Sequence, residues 1–426
     1  FLCVLCLSQK GMVIKMKKYL LIGEKLGHSY SCELHEFCGI NYGLKEIPRG
    51  ELPEFFRERN FDGLNVTIPY KKDVIQFLDE IDEKAAMLGA VNTIVNDGGK
   101  LIGYNTDYFG MDYALKSLGI SLSRRHVVIL GTGGACVTAK ALAENSGATS
   151  VTVVSRSGGA DSETYETIYE KTETEIIINA TPVGMFSNEE ETPLDIGKFP
   201  NLVGVFDCIY NPLRTNLVLA AKNRGIKCGG GLMMLVAQGV LSEKIWGCTK
   251  GEIDSKINSV YNKLLFEKRN IVLIGMPGAG KTTVGKVLAE KLSKKFIDID
   301  DEIKKTTSRT PEEIIEAYGE AKFREIESEV SMRVAMEKGA VIATGGGTFL
   351  NEKNAVAFQR QGVVIYIGRK LEKLETANRP ISRSVPISRL FAQREPIYIK
   401  FCDEKIANDK TISACAEKIL KRLTQP

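Results

Sequence analysis

The sequence has no long basic run, no apolar stretch long enough to cross a membrane and no cysteines at paired zinc-ligand spacing. Because 57 Lys and Arg residues face 53 Asp and Glu residues, the formal net charge is only +4, and we expect neither nucleic acid nor a membrane as a partner. The ten cysteines are scattered along a long chain, which is typical of reduced thiols in the cytoplasm. These features favour a cytoplasmic protein that acts on small molecules, and they leave a homodimer open.

Internal repeats and low-complexity segments are also lacking. A chain of 426 residues with 43% hydrophobic and 26% charged residues is typical of two or three globular domains. Residues 1–15 contain a short apolar stretch, but they have neither the basic region nor the small-residue cleavage site of a signal peptide. We expect residues 1–15 to be a disordered extension, with Met12 or Met16 as the true start.

Two glycine-rich loops divide the chain, and each follows a short β-branched run and precedes a helical pattern. The first loop spans 131–135 after the run at 127–130, and the second spans 275–282 after the run at 271–274. A strand, a tight glycine loop and a helix in succession begin a nucleotide-binding α/β unit. The sequence therefore predicts an α/β protein with two separate nucleotide sites.

Hydrophobic periodicity and the turn residues around it predict the other main elements. The predicted strands are at 19–22, 63–68, 127–130, 151–154, 175–179, 271–274 and 296–300. The predicted helices are at 71–78, opened by Pro69, at 232–246 and at 253–265.

The second loop follows the pattern Gly-x-x-x-x-Gly-Lys-Thr from Gly275 to Thr282, which is specific when it lies between a strand and a helix. The amides of such a loop, at a helix N-terminus, cradle phosphates. Lys281 can reach the β- and γ-phosphates of ATP, and the Thr282 hydroxyl can ligate Mg²⁺. The residues expected to bind the nucleotide are Gly278, Ala279, Gly280, Lys281, Thr282 and Thr283.

Further polar residues follow this loop. Asp298 and Asp300 alternate at the end of the strand predicted over 296–300, so both are expected on one side, one for Mg²⁺ and one for a substrate hydroxyl. A plain solvated strand end is the alternative. Arg324 lies further along, before the three glycines Gly345, Gly346 and Gly347, which let a ligand approach the backbone closely. Arg394 comes last.

Together these residues resemble shikimate kinase over essentially all of 270–420. The resemblance implies that Asp300 orients or deprotonates the 3-hydroxyl of shikimate and that Asp298 lies near Mg²⁺. The residues that it implies for shikimate binding are Asp300, Arg324, Gly345, Gly346, Gly347 and Arg394. Arginines suit the ring carboxylate of shikimate because a guanidinium binds a carboxylate with two parallel hydrogen bonds.

The sequence departs from that family in the lid, the segment that precedes an Arg-Pro pair. The family usually carries an arginine some residues before an Arg-Pro pair, and a lid arginine neutralises charge on the transferred phosphoryl group. Here Arg379-Pro380 is present, and Arg379 is assigned to the nucleotide, but no arginine lies between Arg369 and Arg379. We expect this departure to affect the turnover rate more than the identity of the reaction.

The first part of the chain contains a different set of short motifs. In order, they are His28-Ser29-Tyr30-Ser31, Asn65-Val66-Thr67-Ile68-Pro69-Tyr70-Lys71, Ala90-Val91-Asn92-Thr93, Asn105-Thr106-Asp107, Tyr210-Asn211-Pro212 and Gly231 to Gln238. This set resembles shikimate dehydrogenase over residues 18–262. Cys32 stands where that family usually has proline, and Ser155 stands where it usually has asparagine.

The resemblance implies that Lys71 and Asp107 form the catalytic pair. A lysine can protonate the alkoxide that hydride addition to a ketone creates, and can recover the proton in the reverse reaction. The two serines would bind the substrate carboxylate. The implied substrate-binding residues are Ser29, Ser31, Thr67, Asn92, Asp107, Tyr210 and Gln238.

The resemblance also implies a dinucleotide site. Gly131, Gly133, Gly134 and Ala135 would hold the pyrophosphate, and Gly231 would lie near the nicotinamide. The run at 151–154 ends in Ser155 and Arg156, where NAD-binding folds usually place an acidic residue. A hydroxyl and an arginine suit a 2′-phosphate, so we predict NADP(H) rather than NAD(H), with a plain surface arginine as the alternative.

These interpretations predict a definite domain order. The predicted domains are a substrate-binding α/β domain over 16–116 that is completed by about 242–266, a Rossmann-type NADP domain over 117–241, a linker at 267–269 and a P-loop kinase domain with a parallel sheet over 270–426. The predicted function is reduction of 3-dehydroshikimate to shikimate, followed by ATP- and Mg²⁺-dependent phosphorylation of shikimate, in aromatic-precursor biosynthesis. The alternatives are a broader quinate/shikimate dehydrogenase fused to the kinase, and a metabolite-sensing regulator with a decayed site.

Overall fold

The computed structural model of the protein describes residues 17–27, 29–159, 162–374 and 386–424. The expected extension at 1–15, His28 and Arg379 lie outside the described residues. The chain divides into two compact units. The first unit contains the described residues up to Pro182 together with Pro193–Ile209 and Arg224–Leu264, and the second contains Val183–Thr192, Tyr210–Asn223 and the chain from Leu265 onward.

The chain contains helices interspersed with strands. In chain order they are α1 (Ser31–Phe37), α2 (Leu52–Glu58), α3 (Glu83–Leu88), α4 (Asp107–Ser117), α5 (Gly134–Asn145), α6 (Asn216–Asn223), α7 (Leu232–Ile245), α8 (Asp254–Lys268), α9 (Lys281–Leu292), α10 (Ile299–Thr307), α11 (Pro311–Ala335), α12 (Glu352–Gln361), α13 (Ile387–Phe401) and α14 (Ile412–Thr424). Within α11, Gly319 has non-helical angles and marks a kink. Among the described residues, no helix is both long and apolar enough to span a bilayer.

The first unit begins with a six-stranded mixed sheet. Its strands are β1 (Tyr19–Gly23), β2 (Tyr42–Glu46), β3 (Gly63–Val66), β4 (Glu80–Ile81), β5 (Thr93–Asp97) and β6 (Lys100–Tyr104), in the order β2-β1-β3-β5-β6-β4. β1 and β3 are parallel, whereas β5 is antiparallel to both β3 and β6. The C-terminal ends of β1, β3 and β6 therefore meet the N-terminal end of β5 at one edge, and the polar motifs lie at that edge.

A second, fully parallel sheet completes the first unit. Its strands are β7 (His126–Leu130), β8 (Ser150–Val154), β9 (Ile176–Asn179), β10 (Gly204–Asp207) and β11 (Lys227–Gly229), in the order β11-β10-β9-β7-β8. β7 and β9 are almost wholly apolar and buried, as expected of parallel strands covered on both faces. The first glycine loop joins β7 to α5, which confirms the predicted Rossmann-type arrangement.

The second unit is built on another parallel sheet. Its strands are β12 (Asn270–Ile274), β13 (Phe296–Asp298), β14 (Val341–Ala343), β15 (Gly362–Gly368) and β16 (Glu404–Ala407), in the order β13-β14-β12-β15-β16. β12 is central and entirely buried, and the second glycine loop joins it to α9. The predicted P-loop architecture is confirmed.

Three predicted elements are wrong in detail. The strand expected over 63–68 ends at Val66, because the chain turns there and Tyr70 N donates to Thr67 O at 2.9 Å. The helix expected over 71–78 is a short 3₁₀ helix, Asp73–Phe77, and Lys71 lies in the turn before it. The chain becomes extended at Leu78, and Asp79 donates its backbone N–H to Leu101 O at 2.9 Å, so the sheet edge ends the helix early. The strand expected over 296–300 ends at Asp298. The Asp298 side chain accepts a hydrogen bond from Asp300 N at 3.0 Å and caps α10, so the helix begins there.

The boundary between the two units is not the short linker that was expected at 267–269. Glu267 and Lys268 of the expected linker are the last residues of α8, and only Arg269 separates this helix from β12. The second unit includes Tyr210–Asn223, which the sequence analysis assigned to the NADP domain. Within that unit, Arg214 Nη1 lies 2.9 Å from Asp403 Oδ1.

Candidate active sites

The first candidate site contains an ion pair at the polar edge of the mixed sheet. Lys71 Nζ lies 2.6 Å from Asp107 Oδ2, and both side chains are largely buried, with 23% and 13% of their surfaces exposed. Lys71 follows β3, and Asp107 follows β6 as the first residue of α4. The positive end of the α4 dipole stabilises a negative charge at Asp107. The structure thus brings together the two residues that were predicted to form the catalytic pair.

The predicted residues Asn92 and Gln238 are joined through Thr106. Asn92 Oδ1 accepts from Thr106 N at 2.7 Å, and Asn92 Nδ2 donates to Thr106 Oγ1 at 3.1 Å. Thr106 Oγ1 lies 3.2 Å from Gln238 Oε1, and Gln238 Nε2 donates to Leu235 O at 3.0 Å. Each amide NH₂ has two hydrogens, so one N–H of each side chain remains for a ligand oxygen. Both amides are therefore suited to donate to a substrate oxygen.

The serine pair and Thr67 lie at the same edge. Ser29 Oγ donates to Ser31 Oγ at 2.9 Å and accepts from Ser31 N at 3.2 Å, so the two hydroxyls are adjacent. Ser31 is the first residue of α1, and hydroxyls at a helix N-terminus suit a carboxylate. Thr67 follows β3, and its N–H donates to Ile22 O at 3.0 Å. Cys32 lies inside α1, so the residue that replaces the family proline is helical.

A buried polar network that no sequence motif predicted lies behind these residues. Asn65 Nδ2 donates to Ser242 Oγ at 3.0 Å, and Ser242 Oγ lies 3.3 Å from Thr106 Oγ1. His35 Nδ1 lies 2.8 Å from Glu243 Oε1 and joins α1 to α7. Burial raises the pKa of the Glu243 carboxyl, but the interactions with His35, Lys256 and Cys38 together outweigh it, and the pKa lies below its ordinary value. Asn65 and Thr106 belong to quoted motifs, but Ser242, His35 and Glu243 do not, because pairing between distant helices leaves no local signal.

The first glycine loop forms an exposed cradle at the N-terminus of α5. Gly131 has a φ of 103°, and a Cβ there would lie 2.9 Å from Thr181 Cγ2, so only glycine fits. Gly133 and Gly134 are exposed, Ala135 is half-buried, and Gly134 lies near Lys71 Cδ. The first glycine loop therefore lies beside Lys71, one of the two residues predicted to form the catalytic pair.

The other predicted cofactor contacts lie at strand ends of the parallel sheet. Ser155 Oγ lies 3.1 Å from Ser162 Oγ, and Arg156 is exposed. Gly231 packs so closely on the Cys208 carbonyl that no side chain fits there. An exposed arginine after β8 and a cradle of small residues fit a dinucleotide with a 2′-phosphate. Tyr210, in contrast, lies in the second unit.

The second candidate site is the phosphate loop of the second unit. Lys281 is the first residue of α9, is 6% exposed, and donates to Gly275 O at 2.9 Å and Met276 O at 3.0 Å. Thr282 Oγ1 donates to Asp298 Oδ2 at 2.8 Å. A hydroxyl and a carboxylate oxygen at this separation fit the oxygen ligands that Mg²⁺ prefers. Thr283 follows in the first turn of α9.

Opposite this loop, the predicted shikimate residues come together. A Cβ on Gly345 would lie 2.7 Å from Glu327 Oε1 and 3.6 Å from Asp300 Oδ1, and one on Gly347 would collide with the Arg324 guanidinium. The glycines therefore permit carboxylates and a guanidinium to approach the backbone. Asp300 begins the first turn of α10 instead of ending a strand, but it still faces this pocket.

Arg324 is not a free surface cation. Its Nη1 lies 2.5 Å from Glu327 Oε2, and its Nη2 lies 3.0 Å from Glu320 Oε1. Glu327 is 2% exposed and also accepts from Thr348 Oγ1 at 2.7 Å. Glu327 therefore fixes the direction of the guanidinium. The sequence analysis gave it no role, because a glutamate three residues after an arginine on a helix is usually an exposed ion-pair partner.

Arg394 completes the pocket from α13. It is 5% exposed, and its Nη1 donates to Gly346 O at 3.1 Å. Tyr398 Oη donates to the same carbonyl at 2.5 Å. Two donors on one carbonyl fix the orientation of the Gly346 peptide, so Arg394 both supports the triple-glycine loop and supplies a positive charge.

The folds and sites define a chain with two catalytic parts, a dinucleotide-dependent oxidoreductase followed by a P-loop kinase. Two family models match, the shikimate dehydrogenase substrate binding domain over residues 21–94 and shikimate kinase over residues 277–424. The chain belongs to the shikimate dehydrogenase family and carries a shikimate kinase domain after it.

Curated relatives and solved structures agree on the first part. The chain is 37% identical over 260 residues to the shikimate dehydrogenase (NADP(+)) of Clostridium beijerinckii, which covers 57% of this chain and 95% of the relative. A chorismate mutase/shikimate 5-dehydrogenase fusion protein from Clostridium acetobutylicum is 34% identical to this chain, with a TM-score of 0.56. The match covers 59% of this chain and 98% of the fusion protein's chain. Shikimate 5-dehydrogenase from Thermus thermophilus, solved with NADP(H) and shikimate, is 30% identical, with a TM-score of 0.52. The match covers 58% of this chain and 99% of the chain of that enzyme.

Proposed function

We propose that the chain performs two consecutive reactions in the cytoplasm: NADPH-dependent reduction of 3-dehydroshikimate to shikimate, and ATP-dependent phosphorylation of the shikimate 3-hydroxyl. The observation that carries the proposal is the presence of two candidate sites in one chain. The Lys71–Asp107 pair lies beside a dinucleotide loop in the first unit, and a phosphate loop faces a pocket of arginines and glycines in the second. The product of the first site is the substrate of the second.

In the reductase site, bound NADPH supplies a hydride to the substrate ketone. The Lys71 ammonium donates a proton to the oxygen as negative charge develops there, and Asp107 holds that ammonium in place at 2.6 Å. Asn92 and Gln238 donate their remaining N–H groups to ring oxygens. The adjacent hydroxyls of Ser29 and Ser31 bind the ring carboxylate.

In the kinase site, the Asp300 carboxylate accepts the proton of the shikimate hydroxyl as the hydroxyl oxygen attacks the γ-phosphorus. The bond from the γ-phosphorus to the bridging oxygen breaks, and ADP leaves. Lys281 and the amides of the phosphate loop neutralise charge on the phosphates. Thr282 and Asp298 would hold Mg²⁺, which neutralises further phosphate charge when bound. Arg324 and Arg394 bind the shikimate carboxylate and so fix the ring for an in-line approach.

A coupled assay tests the proposal. The purified chain is incubated with 3-dehydroshikimate and NADPH, first without ATP and then with ATP and Mg²⁺, and products are identified by mass. We expect shikimate in the first incubation and shikimate phosphate in the second. NADPH oxidation without shikimate would refute the reductase assignment, and shikimate that accumulates in the presence of ATP would refute the kinase. Reduction of 3-dehydroquinate, the ketone analogue that carries a hydroxyl at C1, at an equal rate would favour the broader dehydrogenase.

A further inference from the structure

Two side chains outside the predicted nucleotide site hold the outer side of the phosphate loop. Arg369 Nη1 donates to Gly278 O at 2.9 Å, and Asn408 Nδ2 donates to Ala279 O at 2.9 Å. The two contacts fall on consecutive peptide groups of the loop that binds ATP in the proposed function. Neither residue was assigned a role by the sequence analysis.

The sheet explains why these two residues act at the same place. β15 and β16 are parallel neighbours, and their last residues, Gly368 and Ala407, are paired in register. Arg369 and Asn408 are the next residue of each chain, and Asn408 N donates to Gly368 O at 2.7 Å. β12, which leads into the phosphate loop, is the neighbour of β15 on its other side. Both side chains therefore leave the sheet beside the loop.

A hydrogen bond to a peptide carbonyl also fixes the direction of the N–H in the same peptide group. In a planar trans peptide the C=O and N–H point in opposite directions. When Asn408 holds the Ala279 carbonyl on the outer side, the Gly280 N–H points toward the inner side, where phosphates bind. Gly280 has a φ of 91°, and a Cβ there would lie 2.6 Å from Asn408 Nδ2, so this contact requires glycine.

Both side chains also carry a buried polar atom whose bonding capacity is unused. Among the described residues, neither Arg369 Nε nor Asn408 Oδ1 has a hydrogen-bond partner, and Asn408 is only 3% exposed. No carboxylate of the described chain forms an ion pair with Arg369. Buried polar atoms without a protein partner are rare in folded proteins, and each is a position where a water, an ion or a ligand can bind.

We propose that Arg369 and Asn408 are positioning residues of the ATP site. Asn408 directs the Gly280 N–H at the nucleotide, and Arg369 holds the preceding peptide group, whose Ala279 N–H donates to Met276 O at 3.1 Å within the loop. Arg369 also places a positive charge at that loop, and no carboxylate among the described residues forms an ion pair with it. This charge lies outside the lid, in a chain whose sequence has no arginine between Arg369 and Arg379.

The test measures ATP and shikimate separately in the full chain. For Arg369→Met and for Asn408→Asp we expect the KM for ATP, and the dissociation constant of a non-hydrolysable ATP analogue, to rise about 10- to 100-fold. The KM for shikimate and the dehydrogenase activity of the same molecule should stay within about twofold. Arg369→Lys, which keeps the charge, should recover part of the lost affinity, and so should free guanidinium added to Arg369→Met.

Arg333→Met is the matched control, because Arg333 is an exposed arginine of α11 that bonds Thr306 and faces neither ligand. It should leave ATP binding unchanged. Unchanged ATP binding in both Arg369→Met and Asn408→Asp would overturn the proposal. So would equal losses of ATP and shikimate binding with a lower unfolding temperature, because that pattern shows general destabilisation. If Arg369→Met does not fold, Arg369→Lys and Asn408→Asp carry the test.

The positioning role of Arg369 and Asn408 rests on the proposed kinase function, but different results would contradict the two. If the unmutated chain bound the ATP analogue without phosphorylating shikimate, the kinase assignment would be wrong. Loss of analogue binding in the two variants would still support the positioning role.

Discussion

Lys71 and Asp107 come from the ends of two strands that are not neighbours in the sheet, and their charged atoms lie 2.6 Å apart. β5 lies between β3 and β6 and runs against both, so the turn after β3 and the helix after β6 face one another. An ammonium held by a carboxylate at a sheet edge, beside a dinucleotide loop, is suited to donate a proton to a reduced ketone.

Lys71→Ala tests this role. We expect kcat for 3-dehydroshikimate reduction to fall about 10²–10⁴-fold, the usual range for a lost acid or base, with a much smaller change in KM. Steady-state kinetics at saturating NADPH measure both constants. Lys72→Ala is the matched control, since Lys72 is the exposed neighbour in the same turn. A raised KM with an unchanged kcat would show that Lys71 only binds the substrate.

Cofactor choice should depend on Arg156. We expect the unmutated enzyme to prefer NADPH to NADH, and Arg156→Ala to lower kcat/KM for NADPH about 10- to 100-fold because a charged hydrogen bond to the 2′-phosphate is lost. kcat/KM for NADH should hardly change, which makes the second cofactor an internal control. Equal kcat/KM for both cofactors in the unmutated enzyme would contradict the assignment of Ser155 and Arg156.

The kinase pocket should fail in two distinguishable ways. Arg394→Ala should raise the KM for shikimate about 30- to 150-fold, because a buried arginine–carboxylate contact and a donor to Gly346 O are lost, while an ATP analogue still binds. Lys281→Ala should abolish phosphoryl transfer and leave shikimate binding intact. Calorimetric titration of each ligand into each variant checks both. If Arg394→Ala weakened nucleotide binding and left shikimate binding unchanged, the assignment of Arg394 to the substrate pocket would be wrong.

The stability of the first unit should depend on pH through Glu243. This fully buried carboxylate lies 2.8 Å from His35 Nδ1 and 2.8 Å from Lys256 Nζ. Burial raises its pKa, but these hydrogen bonds bring the pKa below the ordinary value of 4.5. A carboxyl whose folded pKa is lowered contributes stability above its unfolded pKa, and that contribution is lost as the pH falls through the folded value.

Glu243→Gln should therefore destabilise the first unit by about 3–5 kcal/mol at neutral pH, because it breaks a buried pair. The difference from the unmutated protein should shrink below about pH 4.5. Thermal unfolding followed across this pH range measures it. Glu144→Gln removes an exposed carboxylate of α5 and should have little effect at any pH. A constant difference across the range would show that Glu243 acts through packing alone.

The two activities should be separable, but not without a loss of stability. A chain of residues 270–426 lacks Tyr210–Asn223, which the second unit contains, and so lacks Arg214 and Lys222, both of which pair with Asp403. Burial raises the pKa of Asp403, but these two cations lower it to about 2. We expect the shorter chain to retain kinase activity and to unfold at a lower temperature than the second unit of the full chain.

A substitution at Asp403 separates this effect from a general loss of folding. Asp403→Asn should lower the unfolding temperature of the second unit in the full chain, and should have a much smaller effect in the chain of residues 270–426, where its partners are missing. Equal effects in the two chains would show that Arg214 contributes nothing to the stability of the kinase.

The local chemistry of the chain could be predicted from sequence because it depends on short spacings. Gly275 to Thr282 predicts a phosphate loop on its own, since the loop needs glycine and lysine at fixed offsets. The Ser29 and Asp107 motifs are shorter, and only their joint order predicted a dehydrogenase. Helix ends were less predictable. Asp298 caps α10 and so ended the strand two residues early, and sheet pairing at Asp79 shortened the helix after Lys71.

The sequence by itself determined two nucleotide-binding α/β parts, their order and the residue types of both sites. Only the tertiary structure decided which side chains orient those residues, as with Glu327 at Arg324, Glu243 at His35, and Arg369 and Asn408 at the phosphate loop. The physical reason is the distance along the chain over which each interaction is determined. A loop or a cap is set by neighbours within a few residues, whereas a hydrogen bond between strand ends or helices depends on the register of the whole sheet, which no short segment encodes.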